Sequence, residues 1–436
     1  MKRTRLPARR ALLAALSTLA LGIPCCAGSD LAPSSEVEAL RVLTVTADKP
    51  YAAPGERVTF QMTYADALGD ADGKPRKVEV AWIGGCVNPP VGVDEHLGCL
   101  PQWLGTYIAG MSPQPGGAGG GTNDGGGGGD TNDGGSGGDG GGGGTNDGGS
   151  GGIGGGGGNG GQEEPTSLFE RQEIDPELSG KPNAVSFTWA LPDDILRRKD
   201  AGRTATGTRY SSAYVLFALC AGKTRPSPAL SAALAAVLSG AEPSAALLDD
   251  LSVPLECVDE DGKVLGPDSF VVGYTQVYVF QDQRPNTNPP LDGFTLKLGD
   301  KEVALGESGL PLVEPCVRPE AKAQGCSPAE PDADDCTSYD IDVIVPPGAA
   351  DEDVEATGLG GPPAREAIWV DYYTDGGEFD GARRLVSDAV TGPGQRHGTT
   401  WTPPSKPGRV SLWAVVHDGR GGSSVKQVEV EVKEKK

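Results

Sequence analysis

Apolar and polar side chains alternate at period two through long stretches of this chain. Leu40 to Thr46 is apolar and β-branched, and after a turn at Pro54-Gly55 the residues Val58, Phe60, Met62 and Tyr64 alternate with Arg57, Thr59, Gln61 and Thr63. Alternation of this kind predicts a half-buried strand. Val78, Val80 and Trp82 repeat it against Lys77 and Glu79, and Val185, Phe187, Trp189 and Leu191 repeat it again. Tyr214 to Cys220 and Phe270 to Phe280 are longer runs of the same character. None of these strands buries enough apolar surface alone, so residues 39–288 are expected to form one sandwich with large insertions. Beyond Pro289-Pro290 a second set follows: Phe294 to Leu298, Tyr339 to Val345, Glu366 to Tyr373, Arg409 to Val416 and Val425 to Val432. In the last, Val428, Val430 and Val432 face one way, and Gln427, Glu429 and Glu431 the other. Residues 289–436 therefore read as a second sandwich. The expected fold class is all-β.

Two insertions interrupt the first set. Leu230, Leu234, Val237 and Leu238 recur at helical spacing, with Ser227 before Pro228 as a cap and Gly240 as a stop, and Pro243 to Leu248 begins another turn. This helical insertion, 226–252, has no Lys or Arg between Pro226 and Pro254, unlike helices that lie on membranes, and is expected to pack on its own sandwich. The other insertion, 112–165, is glycine-rich: 30 of the 46 residues from Gly116 to Gly161 are glycine, too many for a core. Within it, Gly125-Gly126-x-Gly128-x-Asp130 and Gly134-Gly135-x-Gly137-x-Asp139 share the nine-residue step of a calcium β-roll. Asn132 and Gly141 stand where a roll needs large aliphatic side chains. The tract reads as a disordered spacer spanning roughly 35–40 Å.

The ending Val410-Ser411-Leu412-Trp413-Ala414-Val415-Val416-His417-Asp418-Gly419-Arg420-Gly421-Gly422-Ser423, followed by alternating valines, resembles the last two strands of PKD-like and related Ig-like domains. The opening Leu40-Arg41-Val42-Leu43, with Pro54-Gly55-Glu56 and Val58, resembles the start of Ig-like modules in bacterial cell-envelope lipoproteins. The resemblance covers about half the chain. It implies two Ig-like (PKD-like) sandwiches at a cell surface and carries over no catalytic residue.

Composition narrows the setting. There are 37 basic and 60 acidic side chains, for a net charge of −23. Outside the first ten residues no cluster of Lys and Arg is available to neutralise phosphates, so nucleic acid and anionic membrane surfaces are excluded as partners. Lys2, Arg3, Arg5, Arg9 and Arg10 precede the apolar run Ala11 to Leu21, which is too short to span a bilayer and predicts a signal peptide over 1–24. Cys25 then stands where bacterial lipoproteins are acylated, although Pro24 replaces the usual small residue. Cleavage after Gly28 is the alternative, giving a free secreted protein. Residues 25–38 read as a tether, and any membrane contact is expected only through the lipid.

Apart from Cys25 and Cys26, seven cysteines remain. With no CxxC and only three scattered histidines, His96, His397 and His417, they read as disulfide partners in an exported protein rather than as metal ligands. Cys86 is expected to pair with Cys99 and Cys220 with Cys257, while two of Cys316, Cys326 and Cys336 form a third bridge with one thiol left over.

Candidate chemistry is sparse. Carboxylates cluster at Asp70 and Asp72, Asp259 to Asp261, Asp332 to Asp335, Asp351 to Glu355 and Asp375 to Asp380, all in loop-like sequence. No cofactor is expected, and calcium is the one metal such loops would suit. Asp375, Glu378 and Asp380 are the first choice for it, since Asp70-x-Asp72-Gly73 lacks the first ligand of an EF-hand. Gly134-Gly135-Ser136-Gly137-Gly138 matches a nucleophile elbow only because glycine surrounds it, and Asp418 is explained by its turn. Trp82, Trp189, Trp369 and Trp413 fall in strand patterns and read as core, whereas Trp103 and Trp401 fall in loops and read as contact residues. The expected function is therefore non-enzymatic: an exported envelope protein offering its loops or sheet edges to a protein or glycan. A secreted hydrolase or calcium-binding surface protein using its acidic loops is the alternative.

Overall fold

In a computed structural model, the chain is described over residues 34–70, 73–89, 98–99, 102–103, 105–106, 168–239, 254–316, 336–346, 348–352, 364–394 and 397–434. The signal peptide, Cys25, the glycine-rich insertion and Cys326 lie outside these residues.

The first set of strands comprises β1 (Arg41–Ala47), β2 (Arg57–Ala65), β3 (Val78–Val87), β4 (Phe169–Ile174), β5 (Val185–Ala190), β6 (Gly202–Arg203), β7 (Arg209–Cys220), β8 (Lys223–Pro226), β9 (Leu255–Val258) and β10 (Phe270–Phe280). They form a three-stranded sheet, β1-β2-β5, a five-stranded sheet with the path β10-β7-β3-β4 and β6 paired to β7, and the hairpin β8-β9. The alternation explains the layering. Val58, Phe60, Met62 and Tyr64 of β2 meet Val80 and Trp82 of β3, Phe187 of β5, and Val215 and Phe217 of β7 in one core. At its centre Trp82 stacks on Phe187, ring centroids 5.6 Å apart.

The run Tyr214 to Cys220 is apolar at every position because both faces of β7 are covered. Val215, Phe217 and Leu219 point into that core, while Tyr214, Leu216 and Ala218 join a second cluster with Ile83, Trp103, Leu230 and Leu255. Leu230 belongs to the helix α1 (Pro228–Leu238), which starts at the expected cap: the Leu230 backbone N–H donates to Ser227 Oγ at 3.1 Å. The disulfides Cys86–Cys99 and Cys220–Cys257 bound this layer, each with Cα atoms 5.4 Å apart. The buried Glu79 carboxylate ties β8 back to β3 by accepting from the Thr224 N–H at 2.8 Å and from the Thr224 hydroxyl.

The second set comprises β11 (Gly293–Leu298), β12 (Lys301–Glu302), β13 (Leu312–Val313), β14 (Tyr339–Ile344), β15 (Ile368–Thr374), β16 (Glu378–Phe379), β17 (Arg383–Asp388), β18 (Gly392–Pro393), β19 (Thr399–Thr402), β20 (Gly408–Asp418) and β21 (Ser423–Val432). The sheets β12-β11-β14-β19-β16 and β13-β21-β20-β15-β17-β18 enclose a core of Ile341, Ile368, Val370, Tyr372, Leu412 and Val430, among others. The third disulfide joins Cys316 to Cys336. The strands are antiparallel except β13, which pairs parallel to β21. Three disulfides mark a chain that folds in an oxidising compartment, and no helix among the described residues is long and apolar enough to cross a membrane.

Two expectations are corrected. Trp103 and Trp401 are not exposed contact residues. Trp103 is packed against the α1 layer, and Trp401 lies in strand β19, fully buried, with its indole N–H donating to the Gly376 carbonyl at 3.0 Å. Residues 34–38 are not a loose tether, because Val37 is buried and its N–H donates to the Thr374 carbonyl at 2.8 Å, while the Thr374 N–H donates to the Ser35 carbonyl.

The Cys220–Cys257 bridge closes a loop of 37 residues over α1. Replacing both cysteines by serine should cost about 3–4 kcal/mol on the chain-entropy account, measured as a drop in the urea midpoint, with a slope equal to or steeper than wild type because the unfolded chain is less compact. An unchanged midpoint would contradict it.

Candidate functional site

The hairpin formed by β20 and β21 explains how two sandwiches become one body. Along β20, Leu412, Ala414 and Val416 point into the second core, which leaves Trp413, Val415 and His417 on the outer face. That face is not wet. Trp413 and Val415 pack with Val37, Leu43 and Ala65 in a cluster that joins the two sandwiches. The Trp413 indole N–H donates to the Gly180 carbonyl at 2.7 Å, so the largest buried side chain at the interface also satisfies its one polar atom. Gly180 has φ +78°, and a Cβ there would lie 3.0 Å from the indole ring. Glycine is required on both counts.

Polar groups fix the register of this contact. The Ser423 hydroxyl lies 3.1 Å from Thr44 Oγ1 and 3.0 Å from Thr46 Oγ1, and all three residues are buried. Asn288, in the connection between the sandwiches, donates to the Ala47 carbonyl at 2.8 Å and accepts from the Ser423 N–H at 3.0 Å. In the β20–β21 turn, Asp418 Oδ1 accepts from the Arg420 and Gly422 N–H groups at 2.8 and 2.7 Å. Arg420 in turn reaches Glu366 at 2.6 Å and Asp351 at 3.2 Å, and its guanidinium lies 5.9 Å from the Tyr51 ring centroid. Burial pushes the Tyr51 phenol up to about 12 and raises the Glu366 carboxyl above its ordinary value, although the neighbouring Arg420 draws both down.

Beside this interface the two sandwiches leave a cleft of about 550 Å³. Its walls are Leu43 and Thr44 of β1, Val271 and Tyr274 of β10, and Trp369 and His417 of the second sandwich. Trp369 and His417 are direct partners in the β15–β20 ladder, which stacks their rings with centroids 5.4 Å apart at 19°. The Trp369 Nε1 is buried and has no hydrogen-bond partner among the described residues. A buried indole N–H left unpaired costs free energy that a bound acceptor would recover. Behind the pair, Asp371 is held by Arg383 through bonds of 2.6 and 2.9 Å and lies 3.5 Å from His417 Nε2. Burial alone would raise the Asp371 carboxyl, but the bonds from His417 and Arg383 outweigh it and hold the group below its usual range.

The residues chosen from sequence for calcium are not gathered into a cation site. Asp375 is spent on the fold, its Oδ1 accepting from the Ser411 N–H at 2.8 Å, and burial raises its carboxyl above the ordinary value. Glu378 sits in β16 opposite Thr402, and Asp380 lies 3.8 Å from Arg384. No group of three or more acidic, His or Cys side chains fit to hold a metal occurs among the described residues. Trp369, read from sequence as core, instead faces the cleft. The signal available was the unbroken apolar run Leu412 to Val416, which a strand needs only when both its faces are covered.

No family model and no curated protein matches the chain. Among solved structures it is similar to dimeric latent PorU from Porphyromonas gingivalis, over 92% of this chain and 24% of that one, with 8% identity and a TM-score of 0.17. The chain spans about a quarter of that protein's length, and so poor a superposition says nothing of role.

Two outcomes are expected. Trp413→Ala should cost about 3–5 kcal/mol and split urea unfolding into two transitions, because the sandwiches lose their shared core. A single transition at the wild-type midpoint would contradict it. The folded Asp371 carboxyl titrates below its unfolded value, so its stabilisation is complete above the unfolded pKa of about 4 and is lost as pH falls through the lower folded value. Unfolding curves from pH 7 to pH 2 should therefore show Asp371→Asn already weakened at pH 7 and less acid-sensitive than wild type.

Proposed function

We propose that the chain is a non-enzymatic, exported protein of a bacterial cell envelope, built of two Ig-like (PKD-like) sandwiches. In this reading it is attached through acylated Cys25 and binds a protein or glycan at the cleft between its domains. The observation that carries the reading is the buried, unpaired Trp369 indole N–H in a cleft whose two walls come from different sandwiches. A sugar hydroxyl or a peptide carbonyl supplies the acceptor that this donor lacks, and Tyr274 and His417 add ring edges and polar tips of the kind that contact surfaces favour. The interlock through Trp413, Ser423 and Asn288 supports the same reading, because it holds both walls in place before the partner arrives and so lowers the ordering cost of binding.

Export is supported by the three disulfides and by the charged and apolar pattern of the first 24 residues. Intact mass of the mature protein tests the anchor: a mass beginning at Cys25 with acyl chains is expected, and a mass beginning at Ser29 overturns it. For the cleft, a panel of bacterial surface glycans and cell-wall peptides is read by tryptophan fluorescence and calorimetry. Trp369→Phe, which keeps a ring and removes the N–H, should weaken the bound member of the panel at least roughly fivefold, the worth of one net hydrogen bond. Equal affinity in the variant overturns the cleft as the site, and turnover of any ester, peptide or glycoside substrate overturns the non-enzymatic reading.

A further inference from the structure

A second cavity lies in the C-terminal sandwich, between its two sheets, where β14 runs out through Val345 and the β17–β18 hairpin folds back. Its volume is about 430 Å³, within the range of about 300–1,000 Å³ that small-molecule pockets occupy. The walls are mainly apolar, with Val345, Ala350, Ile368, Val386 and Pro393 extending the second core towards the surface. Three polar side chains line it: Ser387, His397 and Arg365.

Their existing bonds decide what the cavity accepts. Ser387 is 3% exposed, and its hydroxyl has no hydrogen-bond partner among the described residues. It is held rigidly, since Ser387 and Asp388 of β17 pair with Pro393 and Gly392 of β18 and the Gly394 N–H donates to the Val386 carbonyl at 2.8 Å. The turn between them is clamped by Asp388, which accepts from the Val390 and Thr391 N–H groups at 2.9 and 2.8 Å. A buried hydroxyl fixed in this way and without a partner among the described residues is costly, and a molecule in the cavity that pairs with it recovers the cost. The other two polar groups each have a near neighbour. His397 Nδ1 lies 2.5 Å from Asp342 Oδ1, and Arg365 Nη1 donates to the Ala350 carbonyl at 2.8 Å. A bond to a neutral carbonyl leaves Arg365 its charge and its other N–H donors, so the preference for a neutral ligand rests on the apolar walls and on the Ser387 hydroxyl.

We propose that this cavity is a binding site for a small, mainly apolar molecule carrying one neutral oxygen function, a ketone, ester carbonyl or alcohol, which pairs with the Ser387 hydroxyl. The apolar walls take the hydrocarbon, and Ser387 sets its orientation. The site is separate from the interdomain cleft and does not depend on it.

The test uses 2-heptanone as the neutral probe and heptanoate as its charged counterpart, with the full mature chain, saturation-transfer NMR and calorimetry. Saturable binding of 2-heptanone is expected, with heptanoate at least tenfold weaker. Ser387→Ala should weaken 2-heptanone roughly five- to tenfold, the equivalent of one net hydrogen bond. Ala349→Phe, placed at a half-buried lining position, should abolish binding by filling the space while far-UV circular dichroism and the urea midpoint show a folded protein. Absence of saturable binding, equal affinity in Ser387→Ala, retained binding in folded Ala349→Phe, or tighter binding of heptanoate would each overturn the proposal.

Discussion

The outer face of β20 must be kept dry, and the architecture follows from that requirement. Trp413 and Val415 point away from the second core, and exposing them would place a large apolar patch in water. Covering them with Leu43, Ala65 and Val37 makes each sandwich part of the other's interior. Burial supplies the non-directional attraction, and the Trp413–Gly180, Ser423–Thr44 and Asn288–Ala47 bonds select one arrangement from the many that burial alone would permit. The cleft beside Trp369 is a by-product of that arrangement. The two sandwiches meet over one hairpin and leave a gap at its flank.

Much of the fold was legible in the sequence because period-two alternation reports a half-buried strand directly. The patterns around Phe60, Trp82, Phe187 and Val430 correspond to strands β2, β3, β5 and β21. The expected cysteine pairs 86–99 and 220–257, the first across a Pro-rich loop and the second across the helical insertion, are the ones that form. Strands of mixed or charged composition were missed. Phe169 to Ile174 reads Phe-Glu-Arg-Gln-Glu-Ile and Arg383 to Asp388 begins with two arginines, yet both form strands at or near sheet edges, where one row of side chains stays in water. Thr399 to Thr402 is four residues long, too short for a periodic signal, so Trp401 looked like a loop residue although β14 and β16 flank it.

The candidate site was less legible for a different reason. Trp369 carries the same alternation signal as a core tryptophan, and only the placement of a neighbouring sandwich distinguishes the two. The acidic loop at Asp375 to Asp380 differs in another way, because its side chains have partners that the sequence does not display. Its carboxylates look available in sequence, but Asp375 caps the Ser411 N–H and Asp380 lies near Arg384. Carboxylates in a β-rich chain are often consumed by satisfying backbone donors at strand ends, and composition does not register that use.

The parallel contact between Ser35–Val37 and the end of β15 has a mechanical corollary. Two bonds, Val37 N–H to the Thr374 carbonyl and Thr374 N–H to the Ser35 carbonyl, fasten the polypeptide to the distal module before it enters β1. A pull applied from the amino-terminal side therefore meets these two bonds and the buried Val37 side chain before it reaches β1.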